Sequence, residues 1–378
     1  MLETNFLNIK LTEYPFNAEN VSVVLASSQN GSKLFAANSD GNEITQIEFV
    51  DQNNLFSTHD RVLHIKKKFH VPKLSNEAIH ISDMHFSDNL LYVSVVKIKH
   101  EKQCTHQEIF SFDDTYTAKL VFRSSPCIKG ENLWWDFDGR LASNEKVIFV
   151  AGGNMFLDMF ENRFPNPDIT CCIKNKSYKN LLKATNYFGW IISIDKKNYK
   201  TTKISTGHRR ISGLYFEPNS KKLFETEHGP RGGDEINIIE YGKNYGWPFV
   251  SYGRAYESNK RHSNSINAKY NSHQFYEEPF YVFMPSIGIS EINSIGPSSP
   301  FAKYWLENLI VSSLKDRSLY RIKTKYNKVI YQERILIGSR IRNIQSTNAL
   351  VILSTDDGKI VTLEPGEKLP QGVFPILK

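Results

Sequence analysis

The chain has 378 residues, 40% of them hydrophobic and 23% charged, so it can bury a sizeable core as two ordinary domains or one large closed all-β unit. The formal charge of +7 is spread thinly, and Lys66-Lys67-Lys68 is too short a basic tract to make the chain a nucleic-acid binder. No run approaches the ~18 apolar residues of a membrane-spanning helix, and the first residues, MLETNF, show no basic region followed by an apolar stretch, so no signal peptide is visible.

The 24 Phe and 18 Tyr favour strands, and in chain order one short pattern recurs six times. Apolar strands begin at Leu34, Leu91, Ile148, Leu223, Leu309 and Leu350. Each is followed by an alternating partner, at 44–47, 109–112, 191–194, 236–239, 319–322 and 360–363. Asp40-Gly41, Lys315-Asp316-Arg317 and Asp357-Gly358 supply explicit hairpin turns. The spacings suit four-stranded blades of about 40–50 residues with long loops inserted. No long amphipathic helical pattern alternates with the strands, which excludes a Rossmann-type sheet. The expectation is an all-β, six-bladed β-propeller, a single domain over residues 1–378, with its site on loops at one mouth of the ring.

Cys104, Cys127, Cys171 and Cys172 fall in no CxxC or zinc spacing. Cys104 and Cys127 flank a strand pair, which leaves both a disulfide and free thiols open. His80, His85 and His228 have no zinc-like spacing and read as ordinary hydrogen-bonding residues. Trp134-Trp135 reads equally as an aromatic stacking wall for a ligand or as core.

The densest motif is 227–237, EHGPRGGDEIN, continuing to 242–248, GKNYGWP, and to Tyr252-Gly253. Gly-Pro followed by Gly-Gly between two strands forces a tight loop. Exposed carbonyls beside Asp234 and Glu235 would supply the hard oxygens that Ca²⁺ prefers. Arg340 and Arg342, two apart on an expected strand, leave one face together and suit bidentate recognition of carboxylates.

The 227–253 string resembles the hallmark segment of the soluble glucose/sorbosone (aldose sugar) dehydrogenases that use pyrroloquinoline quinone (PQQ). Gly207-His208-Arg209, 284–290 (MPSIGIS), Ser313-Leu314-Lys315 and 338–342 (GSRIR) resemble further family segments in the same order. The resemblance implies a six-bladed propeller carrying PQQ and Ca²⁺, acting on a small sugar and passing electrons to an acceptor, in a periplasmic or extracellular setting. It implies that Lys315, Arg340 and Arg342 bind the quinone and that Gly229 and Pro230 offer carbonyls to its Ca²⁺. Arg209 would stabilise negative charge at the reactive end, and Glu235 and Tyr245 would serve a second, structural Ca²⁺.

The family's catalytic-base motif, His-x-Gly-Gly-Arg-Leu, here reads Asp136-Phe137-Asp138-Gly139-Arg140-Leu141. Asp136 therefore stands in the place of the base, Asp138 in that of a glycine, Arg210 in that of an asparagine and Asn154 in that of an aspartate. An aspartate, with an ordinary pKa of ~4, serves as a base at neutral pH only if burial raises it. These changes keep two alternatives open: a propeller that binds a glycan or partner without turnover, and a hydrolase or lyase using Asp136 with Asp138.

Overall fold

In the computed structural model the described residues are 2–3, 7–17, 21–28, 30–51, 61–99, 104–125, 128–129, 138–153, 189–247, 249–254, 261–263 and 272–366. The fold class is all-β, a six-bladed β-propeller. The chain divides into two compact units, Met1–Val71 with Ser290–Lys378, and Pro72–Ile289.

In the second unit the sheets follow chain order. They are Glu77–Ser87, Leu90–Lys99, Cys104–Phe112 and Ala118–Arg123; then Leu141–Ser143, Val147–Gly152, Trp190–Asp195 and Thr201–Thr206; then Ile211–Glu217, Lys222–Glu227, Asp234–Ile239 and Tyr281–Phe283. The first unit holds Val23–Ser27, Leu34–Asn38, Glu43–Asp51 and Arg61–His70, and also Ile289–Ser294, Leu309–Ser313, Ser318–Lys325 and Lys328–Leu336. Its third sheet is Ile341–Ser346, Val351–Thr355 and Lys359–Pro365, completed by the N-terminal strand Asn8–Pro15. That strand runs antiparallel to Lys359–Pro365, from Ile9 opposite Pro365 to Pro15 opposite Lys359.

The six recurring hairpins are the second and third strands of the six sheets. Their second strands are covered on both sides, and in the first of them Leu34, Phe35, Ala36 and Ala37 are all buried. Neighbouring sheets of a unit share one apolar layer. Ile148, Val150 and Ile192 pack with Tyr92 and Ile109, while Phe149, Ala151 and Ile191 pack with Ile211, Leu214 and Leu223. Outer strands carry the polar residues, as in Thr201–Thr206, whose first three residues are exposed. Loops leaving the inner strands are thereby held on a rigid sheet frame.

Candidate functional site

In the second unit, Lys222–Glu227 and Asp234–Ile239 pair with Glu227 opposite Glu235 and Glu225 opposite Asn237. The connecting loop, residues 228–233, folds back on itself. A Cβ on Gly229 would lie 2.1 Å from the Gly232 carbonyl oxygen and 2.4 Å from that of Gly233, so only glycine fits.

The Asp234 carboxylate holds this loop in place. It accepts hydrogen bonds from the N–H groups of Gly229 (3.3 Å), Ile287 (3.1 Å) and Ile289 (3.0 Å) and from the Ser286 hydroxyl (2.7 Å). Asp234 is therefore committed to structure, against the expectation that it offers oxygens to Ca²⁺. The same bonds explain why the 284–290 segment accompanies the loop. Its Met284–Pro285 peptide is cis.

Gly207-His208-Arg209 lies against 244–247: the Tyr245 N–H donates to the Thr206 carbonyl (2.9 Å) and the Trp247 N–H to the Gly207 carbonyl (2.9 Å). This places Arg209, only 3% exposed, in a pocket with Glu227, His228, Gly229, Glu235, Tyr245 and Trp247. Its guanidinium donates to the His228 carbonyl (2.9 Å) and the Gly229 carbonyl (3.3 Å) and lies 5.3 Å from the Trp247 ring centre. Its backbone N–H donates to Glu227 Oε2 at 3.0 Å. The structure thus brings Arg209 and Gly229 together.

Glu235 and Tyr245 line this same pocket. The Tyr245 hydroxyl donates to the Ile238 carbonyl (2.5 Å) and accepts from the Glu240 N–H (3.1 Å), so a cation role for Tyr245 falls to its carbonyl oxygen. Burial, reinforced by the neighbouring Glu227, pushes the Glu235 carboxyl well above its usual range. Burial beside Glu227 does the same to Glu225.

Asp136, Trp134, Trp135, Asn154 and Cys127 lie outside the described residues. Asp138 is described. It precedes the strand Leu141–Ser143, has a φ of 37°, and turns its carboxylate inward to accept the Ile211 N–H at 2.6 Å, with Arg210 Nε 4.0 Å away. The paired-carboxylate expectation, in which Asp136 and Asp138 share a strand face, loses that member. Arg140 is also turned inward, 3.5 Å from Asp83. Burial pushes the Asp83 carboxyl up to about 6, against the pull of Arg140 and the Leu141 N–H.

In the first unit, Arg340 and Arg342 share one face and one partner. Arg340 Nε donates to Asp356 at 2.9 Å, and Arg342 donates to it through Nε at 2.8 Å and Nη2 at 2.9 Å. The Ser22 hydroxyl adds a fourth bond at 2.8 Å. Burial works to raise the Asp356 carboxyl, but Arg342, Ser22 and Arg340 outweigh it and hold it low. Lys315 is exposed on the turn after Leu309–Ser313, and the Arg317 carbonyl of that turn accepts the N–H groups of Ile337 and Gly338 at 3.0 Å. The Lys315 turn is therefore tied to the segment entering Arg340. Two guanidiniums face one carboxylate here, a net positive pair that fits an anionic, carboxylate-bearing group.

Asp356 escaped the sequence reading because it adjoins the Asp357-Gly358 turn and reads as part of it. Asp234 and Ser286 are 52 residues apart, so nothing local announces their bond.

Residues 192–362 match the Glucose / Sorbosone dehydrogenase family. The aldose sugar dehydrogenase YliI of Escherichia coli (strain K12) is 30% identical over 256 residues, covering 65% of this chain and 64% of that protein. The first two curated relatives are spanned over only 38% and 64% of their lengths, less than two thirds of either. Among solved structures, the apo-form of the soluble E. coli aldose sugar dehydrogenase superposes with a TM-score of 0.67 at 19% identity, covering 94% of this chain and all (100%) of the other. The PQQ-bound aldose sugar dehydrogenase of Streptomyces coelicolor gives 0.54 at 15% identity, covering 95% and 100%. The glycine-rich loop and the Arg209 strip lie inside that matched segment, so residues 192–362 carry the likeness to the glucose/sorbosone dehydrogenase family.

Proposed function

We propose that the chain is a quinoprotein that oxidises the C1 hydroxyl carbon of a small aldose and passes the electrons to an external acceptor. The observation that carries this reading is the buried Arg209 guanidinium, fixed on the His228 and Gly229 carbonyls in a pocket beside Trp247. A fixed donor of this kind stabilises negative charge that develops on a carbonyl oxygen, and it needs no reorganisation to do so. PQQ, when bound with Ca²⁺, would supply the hydride acceptor.

The chain's own residues do the rest. Lys315, Arg340 and Arg342 bind carboxylates, guanidiniums being matched to them in charge and shape. Gly229 and Pro230 present carbonyl oxygens to Ca²⁺, and a carbonyl has two lone pairs, so the Arg209 bond leaves Gly229 one for a cation. Glu235, with the Tyr245 carbonyl, holds a second Ca²⁺. Asp136 takes the proton from the sugar hydroxyl. Export to a periplasmic or extracellular compartment, with a sugar and an electron acceptor as partners, is part of the proposal; among the described residues no helix is long and apolar enough to cross a membrane. The whole chain, residues 1–378, is proposed as one propeller domain.

The test is reconstitution with PQQ and Ca²⁺ followed by aldose-dependent dye reduction. The reading predicts turnover that needs both additions and falls at least about 100-fold in Asp136→Asn, the scale of losing a general base. No dye reduction with any aldose, from protein that has taken up PQQ, would overturn it.

A further inference from the structure

We infer that His208, Glu225 and Glu227 form a binding site for one divalent first-row transition cation of the Zn²⁺ or Co²⁺ type, inside the sheet that carries the 228–233 loop. One ligand atom from each of the three lies within 4.8 Å of the other two. His208 and Glu225 are 0% exposed and Glu227 is 5% exposed. Glu225 and Glu227 are two apart on Lys222–Glu227, so their carboxylates leave the strand on one side.

Two observations point to a cation and not to a hydrogen-bonded cluster. His208 Nδ1 and Glu225 Oε1 are both buried without a hydrogen-bond partner, and an orphaned polar atom in the interior costs about 1–3 kcal/mol. Nδ1 is directed at Glu227 Oε2 from 3.6 Å, too long for a good hydrogen bond. It is close to the separation, about 3.4 Å, of two ligands each about 2.1 Å from one tetrahedral ion.

The surroundings prepare the imidazole for this role. His208 Nε2 is 2.8 Å from the Ser205 hydroxyl, and the ring stacks on Tyr245 with centroids 4.8 Å apart. With Nε2–H donating to Ser205, Nδ1 presents a lone pair, as a metal-bound histidine requires. Both carboxylates are oriented by other groups: Glu225 Oε2 accepts from the Asn237 amide at 2.9 Å, leaving Oε1 for the ion, and Glu227 Oε2 accepts the Arg209 N–H at 3.0 Å with a further lone pair left for the ion. The donor set shares no atom with the Glu235 and Tyr245 positions proposed for Ca²⁺. An imidazole nitrogen selects a transition ion over Ca²⁺, which takes oxygen ligands. The inference is independent of the sugar-oxidation reading and stands or falls without it.

The test is to strip the purified full chain with a chelator, saturate it with Ca²⁺, and titrate it separately with Zn²⁺ and Co²⁺. Bound metal is measured by elemental analysis and the Co²⁺ absorption bands are recorded. One equivalent of Zn²⁺ should bind despite the Ca²⁺, and its affinity should fall by about 100-fold or more in Glu225→Gln and in His208→Gln while Glu240→Gln, at an exposed position beyond the same sheet, keeps it. X-ray absorption of the Co²⁺-loaded wild type should show one imidazole among oxygen ligands, a readout that does not depend on a variant folding. No stoichiometric binding, affinity unchanged in the folded Glu225→Gln protein, or an all-oxygen shell would overturn the assignment.

Discussion

The surroundings of Asp138 are packed closely against its carboxylate. A Cβ added to Gly153 would lie 2.0 Å from Asp138 Oδ2, while the same carboxylate satisfies the buried Ile211 N–H. Gly153→Ala should therefore destabilise the protein by about 1–3 kcal/mol through overpacking. Asp138→Gly should cost about 1–3 kcal/mol through the orphaned N–H. The pair should be far from additive, because removing the Asp138 side chain frees the space that a methyl group on Gly153 would need. A double-mutant cycle by urea unfolding checks this, and strict additivity would contradict the packing described. His85 gives a second expectation. Burial, with Lys196 nearby, lowers its pKa to about 4 from 6.5, and its ring nitrogen Nε2 is 2.9 Å from the Ser143 hydroxyl. The folded state then resists a proton that the unfolded chain accepts. Stability held above pH 6.5 should drain away as pH falls from there to about 4. His85→Gln should flatten that portion of the stability–pH curve, and an unchanged slope would exclude His85 as its source.

The strand Cys104–Phe112 shows what apolar periodicity misses. Thr105, His106, Gln107 and Glu108 are all buried, and Glu108 is held by Lys97 (2.9 Å), Arg123 (2.6 Å) and His106 (3.2 Å). Burial alone would raise the Glu108 carboxyl, but His106, Lys97 and Arg123 bring it down to about 2. Lys97→Ala removes one partner from a buried carboxylate and should cost about 3–5 kcal/mol in urea unfolding. A loss under about 1 kcal/mol would mean that the remaining cations compensate. The six hairpins were legible because their inner strands carry consecutive apolar residues and three of them close with explicit turn residues. The strands preceding them were not: Leu141–Ser143 has three residues, and Glu77–Ser87 carries Glu, His and Asp among its apolar positions. The pairing of Asn8–Pro15 with Lys359–Pro365 was equally hidden, since it joins opposite ends of the chain. Deleting residues 1–15 should uncover the edge of Lys359–Pro365 and promote association through it. Light scattering at matched concentration checks this, and a monodisperse, equally stable truncation would contradict it.

Across the whole molecule, the net charge of +7 includes the exposed Lys315 and the Arg340–Arg342 pair on Asp356. The glycine-rich loop and the arginine spacing were legible because both are local in sequence. What fixes them was not, because Asp234 reaches Ser286 and Asp356 reaches Arg340 across 52 and 16 residues. Recognition of a carboxylate-bearing quinone by exposed and half-buried cations should weaken as salt rises. The most direct measurement is a titration of the metal-free protein with PQQ, with and without Ca²⁺, in the wild type and in Arg340→Ala and Arg342→Ala. One equivalent should bind with a shift in quinone absorbance, Ca²⁺ should tighten it, and each arginine variant should weaken it at least about tenfold, or ~1.4 kcal/mol. An absorbance that does not move, or binding that is unchanged in both variants, would contradict the account.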